Sequence, residues 1–285
     1  MTDQNYRLVV VKCHGQDADS FLNGQFSNDV SSLQAGEFQR NAYCNPKGRV
    51  LALVGLVKLQ PGEYYLLLPE DLAEATIRRL RMFVMRAKVQ FEELPDLSVS
   101  PIENSSIGPG RAESTQDGVI LNWGLTGHRC CLIASGDNQP LPSEWLAADI
   151  REGIPQVFAS TSEMFLPQAI NLDLVNAVSF TKGCYPGQEI VARLKYLGKL
   201  KQRMMRFSSD ENQVFPLPGE PLLAGEKKIG EIVSVQGGGD QPIQGLAVVT
   251  IAKRDEDAIQ LTGNTSVALE LPPYSVPEFE SDTSQ

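Results

Sequence analysis

Two histidines, two tryptophans and five cysteines are spread over 285 residues. The cysteines (Cys13, Cys44, Cys130, Cys131 and Cys184) are odd in number, irregularly spaced and include no CxxC pair. That pattern offers no zinc site. It fits free thiols in a reducing cytoplasm better than a disulfide framework. His14 and His128 stand alone, without ligand spacing or a neighbouring nucleophile, so neither is given a role and no metal is expected. Basic residues are also scarce: 25 Lys and Arg against 35 acids give a net charge of −10. That excess argues against broad nucleic-acid binding, which needs cations to neutralise phosphates. No apolar run approaches the roughly 18 residues of a membrane span. The start, MTDQNYRLVVVKCHG, resembles neither a signal nor a transit peptide. These absences predict a cytoplasmic protein with no membrane partner. No internal repeat is visible. What is present, 42% hydrophobic and 21% charged residues, suits packed cores in one large domain or two to three small ones.

The hydrophobic pattern predicts α+β elements. Tyr6 to Val11 reads as a strand closed by Gly15, with Asp17 as N-cap of a short helix through Phe21 and Leu22. Val50 to Leu59 is nearly all apolar, and Tyr64 to Leu68 follows the Pro61-Gly62 turn, predicting a hairpin. Glu70 to Arg86 is the clearest helix. Acids open it, bases close it, and Leu72, Ala73, Thr76, Ile77, Leu80 and Val84 form one apolar stripe. Lys88 to Leu94 returns as a strand, so the unit is a sheet with helices on one face. Residues 104–117 read as an exposed loop, Val119 to Ala134 as one or two strands, and Ser143 to Gly153 as a helix capped by Ser143 and stopped by Gly153. From about Met204, short apolar runs alternate with turn clusters such as Gly237-Gly238-Gly239, predicting a small antiparallel barrel. The acidic tail from Pro277 is expected to be disordered.

The run Lys182-Gly183-Cys184-Tyr185-Pro186-Gly187-Gln188-Glu189 crowds a cation, a thiol, a phenol, an amide and a carboxylate between two glycines and a proline. Such a loop turns tightly and lets a ligand approach the backbone. Lys182 and Arg193 are placed to favour a thiolate at Cys184. The bland alternative is a structural turn around an inert cysteine, and residue chemistry alone favours it. Residues 190–206 add Arg193, Lys195, Lys199, Lys201, Arg203 and Arg206 with no acid. This basic strip reads as a solvated linker, a clamp for an anionic tail, or a site for RNA phosphates.

Lys-Gly-Cys-Tyr-x-Gly-Gln-Glu resembles the signature of the YgfZ family of folate-binding proteins. So do Phe21-Leu22-Asn23-Gly24-Gln25-Phe26-Ser27-Asn28-Asp29-Val30, Cys44-Asn45-Pro46-Lys47-Gly48-Arg49, Gly153-Ile154-Pro155 and Pro167-Gln168-Ala169-Ile170-Asn171-Leu172-Asp173. They occur in the family's order over about 170 residues. The resemblance implies the fold of the glycine-cleavage T-protein: a three-domain ring around a central hole. Its parts would be a discontinuous first domain (1–48 and 141–198), an inserted α+β domain (49–140), a C-terminal β-barrel (199–276) and the tail 277–285.

It also implies a tetrahydrofolate, possibly polyglutamylated, in that hole. The folate tail favours the anionic-clamp reading of the basic strip. Cys184 becomes the functional thiol, and Trp145, Lys182, Tyr185, Gln188, Glu189 and Arg193 the folate-binding residues. For Trp145 a core anchor competes equally; for Gln188 and Glu189 the alternative is a turn or helix-start pairing, with the functional reading preferred for Glu189. The implied role is accessory, in the assembly or repair of iron–sulfur enzymes, with an indirect link to tRNA modification. One cysteine cannot hold a cluster, although Cys44 could be a second ligand if the fold brings it near. The T-protein's catalytic carboxylate has no counterpart between Gly48 and Lys58. That argues against aminomethyl transfer and leaves another folate-dependent one-carbon or demethylating activity, and direct tRNA binding, as alternatives.

Overall fold

The architecture comes from a computed structural model that describes residues 6–103, 105–127, 129–211, 214–238 and 241–280. The first sheet uses β1 (Leu8–His14), β2 (Glu37–Cys44), β3 (Val50–Gln60), β4 (Glu63–Pro69) and β5 (Gln90–Glu93) in the order β2-β3-β4-β1-β5. Helices α1 (Ala18–Gln25) and α2 (Glu70–Val84) cover one face. Asp17 precedes α1 as expected, but its carboxylate accepts from the Lys88 backbone N–H (2.8 Å) and does not cap the helix. In α2, Glu70 and Asp71 favour the positive end of the dipole. Leu72, Ala73, Thr76, Ile77 and Leu80 are the buried stripe, and each fully buried Leu or Ile contributes about 1.5–3 kcal/mol. The helix stops at Met85, which has φ +39°.

The second sheet holds β6 (Leu97–Ile102), β7 (Ala112–Ser114), β8 (Val119–Asn122) and β9 (Cys130–Ser135) in the order β6-β9-β8-β7. The segment read as a loop thus contains a strand, β7. Its core merges with the far face of the first sheet: Leu8, Val10, Phe38, Val57 and Leu67 pack with Val99, Leu121, Trp123 and Ile133. The expected boundary at residue 48/49 does not survive this topology. The first sheet draws β1 and β2 from before it and β3, β4 and β5 from after it, because all of β2 pairs with β3 from Val50 to Lys58.

Helix α3 (Ser143–Glu152) follows. Pro142, not Ser143, is its N-cap, whereas Gly153 is the left-handed C-cap (φ 70°) and donates to Asp149 and Ile150 carbonyls. After an irregular stretch comes α4 (Gln188–Tyr196). The third sheet, β10 (Gln202–Ser209), β11 (Pro221–Ala224), β12 (Lys227–Gly238), β13 (Gln241–Thr250), β14 (Ile259–Gln260) and β15 (Ala268–Glu270), is antiparallel in the order β14-β11-β12-β13-β10-β15.

The tail is not unstructured from Pro277. Pro277–Glu280 forms a short helix, α5, with Val276 and Phe279 buried in the third core; residues 281–285 lie outside the described chain. Glu278 explains the anchoring. Arg203 is 3% exposed and gives all five of its N–H donors to acceptors: two to Asp173 (2.7 and 3.0 Å), two to Glu278 (2.9 Å each) and one to the Gln168 carbonyl (2.8 Å). Arg206 pairs with Glu270 at 3.2 Å. The basic strip therefore loses Arg203 and Arg206, and only Arg193, Lys195, Lys199 and Lys201 remain as its exposed cations.

Candidate functional site

Three distant sequence motifs interlock around the loop that bears Cys184. Ser27 is buried; its hydroxyl donates to Ala177 O (2.7 Å) and accepts from Ala42 N (2.8 Å), tying the end of α1 to β2. The Asn45 side chain accepts from Lys47 N (2.9 Å) and Arg49 N (3.0 Å) and donates to Glu163 (2.9 Å), shaping the Cys44–Arg49 turn. That turn lies against the Cys184 loop so closely that a Cβ on Gly187 would fall 2.5 Å from Asn45 O and 2.6 Å from Gly48 Cα. Gly187 (φ 81°) and Gly48 (φ 72°) are both left-handed, so glycine is required twice over.

Lys182 is half-buried. Its ammonium donates to the carbonyls of Asn23 and Phe26 at the C-terminal end of α1, where a cation meets the negative end of the dipole. It also lies 5.2 Å from the centre of the Tyr185 ring. Burial pulls its pKa down to about 8, against the opposing charges of Asp29 and Cys184. Tyr185 is buried, its hydroxyl has no hydrogen-bond partner, and burial beside Cys44 raises its pKa. Cys44 is fully buried and its thiol is pushed up to about 12, so it is no accessible second ligand. Cys184 is exposed, whereas Cys13, Cys44, Cys130 and Cys131 are buried. Gln188 closes the loop by donating to Lys182 O (3.4 Å), and Glu189 and Arg193 are exposed on α4.

Trp145 belongs to a different neighbourhood. It is 4% exposed, 5.9 Å from Trp123 and 4.9 Å beneath the Arg129 guanidinium. Around it lies a buried polar cluster that sequence reasoning did not identify. Asp149, wholly buried, accepts from Arg129 Nη2 (2.5 Å), Gln156 Nε2 (2.8 Å) and Trp123 Nε1 (3.2 Å). Gln156 in turn accepts from the Tyr6 hydroxyl (2.8 Å), and Arg129 Nε donates to Glu152 (2.8 Å). Burial raises the Asp149 pKa, opposed by Arg129 and Arg40. The available signal was the four-residue step from Trp145 to Asp149, which puts both on one helix face.

The cluster backs a small cavity of about 20 Å³ lined by Tyr6, Arg40, Leu53, Trp123, Gln156 and Leu172, among others. That is room for a single water. Tyr6 also lines an open groove of about 360 Å³ where the first sheet, the turn at Phe158–Ser160 and the approach to the third sheet meet; Glu70, Asp71, Leu217 and Pro218 complete it. Of the residues considered for folate in the sequence, Tyr6 lines both spaces, as the aromatic that the first strand could offer the pterin, whereas Trp145, Lys182, Tyr185, Gln188, Glu189 and Arg193 line neither. His128 lies outside the described residues, and no group of three or more potential metal ligands occurs among those described.

The fold is that of the aminomethyltransferases of the glycine-cleavage system: aminomethyltransferase T of Bartonella henselae superposes with a TM-score of 0.71 at 17% identity, over 95% of this chain and 84% of that one. No family model matches the sequence. Curated relatives are more specific. A tRNA-modifying protein YgfZ of Yersinia pseudotuberculosis is 30% identical over 249 residues, 78% of this chain and 74% of its own. The YgfZ of Colwellia psychrerythraea is 29% identical over 245 residues, 78% of this chain and 74% of its own. An uncharacterised Haemophilus influenzae protein is 32% identical over 239 residues, 80% of this chain and 81% of its own. The chain belongs to the YgfZ family. No helix among the described residues is long and apolar enough to cross a membrane.

Proposed function

We propose that this is a cytoplasmic, tetrahydrofolate-binding accessory protein that supports tRNA modification through iron–sulfur enzymes or their assembly factors. The observation that carries the reading is the 360 Å³ groove at Tyr6, Asp71 and Phe158. Its volume lies in the range of small-molecule sites, roughly 300–1,000 Å³. Its chemistry fits a reduced pterin. Tyr6 and Phe158, edge to face at 6.1 Å, offer aromatic walls to a flat heterocycle. Glu70 and Asp71 offer carboxylate acceptors to the ring's amino and N–H donors. On this reading the three sheets form the ring of three domains, the last a small barrel, with the groove at its centre.

The chain's own residues would bind and orient the folate there. β3 contributes no acid: Leu53 faces the adjoining cavity, and the run from Val50 to Lys58 carries no carboxylate. An aminomethyl transfer that relies on a carboxylate from this strand has no such group to stabilise a developing cation. Cys184, exposed on its own loop, is the thiol offered to a client protein.

Calorimetric titration of the whole chain with tetrahydrofolate tests the reading, with a Glu70→Gln, Asp71→Asn double variant alongside. Saturable binding to wild type, weakened at least about tenfold in the variant, is expected from the loss of charge-assisted hydrogen bonds. No saturable binding to wild type refutes it.

A further inference from the structure

A second groove, of about 320 Å³, runs between α2 and the Ser162–Glu163 turn. Its walls are apolar at Leu51, Leu72, Ala75 and Met82. Its polar groups are mostly donors. Tyr43 lines it and is 1% exposed, yet its buried hydroxyl has no acceptor. The charged group beside that hydroxyl is Arg79, which can only donate. Arg78 stands on the rim, and neither arginine forms an ion pair with a carboxylate among the described residues. Glu163 is the acid in the wall, and its carboxylate is held by Asn45 Nδ2 at 2.9 Å. The Tyr43 oxygen can accept from Arg79, which leaves its O–H without an acceptor, and an unsatisfied buried donor is costly.

We propose that this groove is an oxyanion-binding site, taking a carboxylate or phosphate borne on a larger, partly apolar molecule. The Tyr43 hydroxyl and the Arg79 guanidinium hold the anion, Arg78 guards the mouth, and Leu72, Ala75 and Met82 contact the attached chain. The shape of β3 makes room for it. A bulge where Tyr43 and Cys44 pair with Val50 to Ala52 turns Leu51 into the groove, and the Ser162 hydroxyl fixes that bulge by donating to Leu51 O (2.8 Å). The site stands on these residues alone. It also matches the folate reading in scale: Asp71 and Arg79 are eight residues apart on one helix, roughly 12 Å. Two sources of the anion therefore share the chemistry: the carboxylates of a γ-glutamyl chain, and a phosphate.

The test titrates the full chain at low ionic strength with two probes, tri-γ-glutamate and inorganic pyrophosphate, and repeats both with Arg79→Gln and Tyr43→Phe. Saturable binding of either probe, weakened about tenfold or more in both variants, upholds the site, and the probe that binds identifies the source. Tyr43→Phe removes an O–H that has no acceptor together with one Arg79 contact, so its urea midpoint stays close to wild type, and lost binding is not lost folding. Failure of both probes to saturate wild type, or binding unchanged in both variants, overturns the proposal. Asp71→Asn leaves probe binding intact, so failure of the folate reading is seen separately.

Discussion

Asp149→Asn tests whether the cluster around Trp145 is an organised support for the cavity. The substitution keeps the side chain's shape and removes its charge. It places an amide donor where Arg129, Gln156 and Trp123 all donate. Asparagine has one acceptor oxygen for these three donors, so buried donors lose their partner at about 1–3 kcal/mol each, and about 3 kcal/mol is expected in all. At a urea slope of about 3 kcal/mol/M, a loss of about 3 kcal/mol lowers the midpoint by roughly 1 M. The assay needs no added probe. The chain's two tryptophans, Trp123 and Trp145, both sit in this cluster, so intrinsic fluorescence reports on it directly.

The pH dependence carries a sign. Burial raises the folded pKa of Asp149 above its ordinary value, against the pull of Arg129. Its contribution to stability is therefore fullest below the usual aspartate range and fades as pH rises through the raised folded value. Asparagine does not titrate, so the gap between wild type and variant narrows across that window. An unchanged urea midpoint with unchanged indole emission would refute the account.

Lys182→Met probes the other neighbourhood. The folded pKa of Lys182 is lowered to about 8 from 10.5, so its contribution is present above 10.5 and lost as pH falls through 8. Wild-type stability is expected to climb across that window and the variant's to lack the climb, as read by urea midpoints at stepped pH. Arg203→Met strands the buried Asp173 and should cost about 3–5 kcal/mol. Glu278→Gln should cost less because that side chain is 29% exposed, and urea unfolding of the two variants compares them. A thiol-reactive dye should label one cysteine quickly in the native protein, Cys184, and all five after denaturation; a Cys184→Ser protein that still labels quickly would contradict the assigned burial.

Some of this was legible in the sequence and some was not, for physical reasons. Helix α2 was readable because its charges follow the dipole and its stripe has one period. The long run of β3 was readable because both of its faces are covered. The motifs marked the right backbone: Ser27, Asn45, Gly48 and Gly187 are where the chain crosses itself. Their chemistry was harder to assign. Gln168 and Asn171 carry a family motif with no role attached, and the fold supplies one: Gln168 donates to Val191 O (2.7 Å) and Asn171 to Met204 O (2.9 Å), both as internal braces. Arg203 read as part of a basic strip because its partners lie 30 and 75 residues away, beyond any local pattern. Tyr43 and Arg79 sit on different elements, and only the packing of α2 against the first sheet brings them together.

The contact between Gly48 and Gly187 has a consequence for the order of events in the cell. The two glycines are 139 positions apart (187 less 48) and press backbone to backbone. A ribosome releases the Cys44–Arg49 turn long before its counterpart exists, so Gly48 has no backbone partner until the second half of the chain emerges. Only when the second half arrives does the loop acquire its shape and Cys184 its place. A product truncated ahead of residue 184 therefore carries neither this contact nor the exposed cysteine.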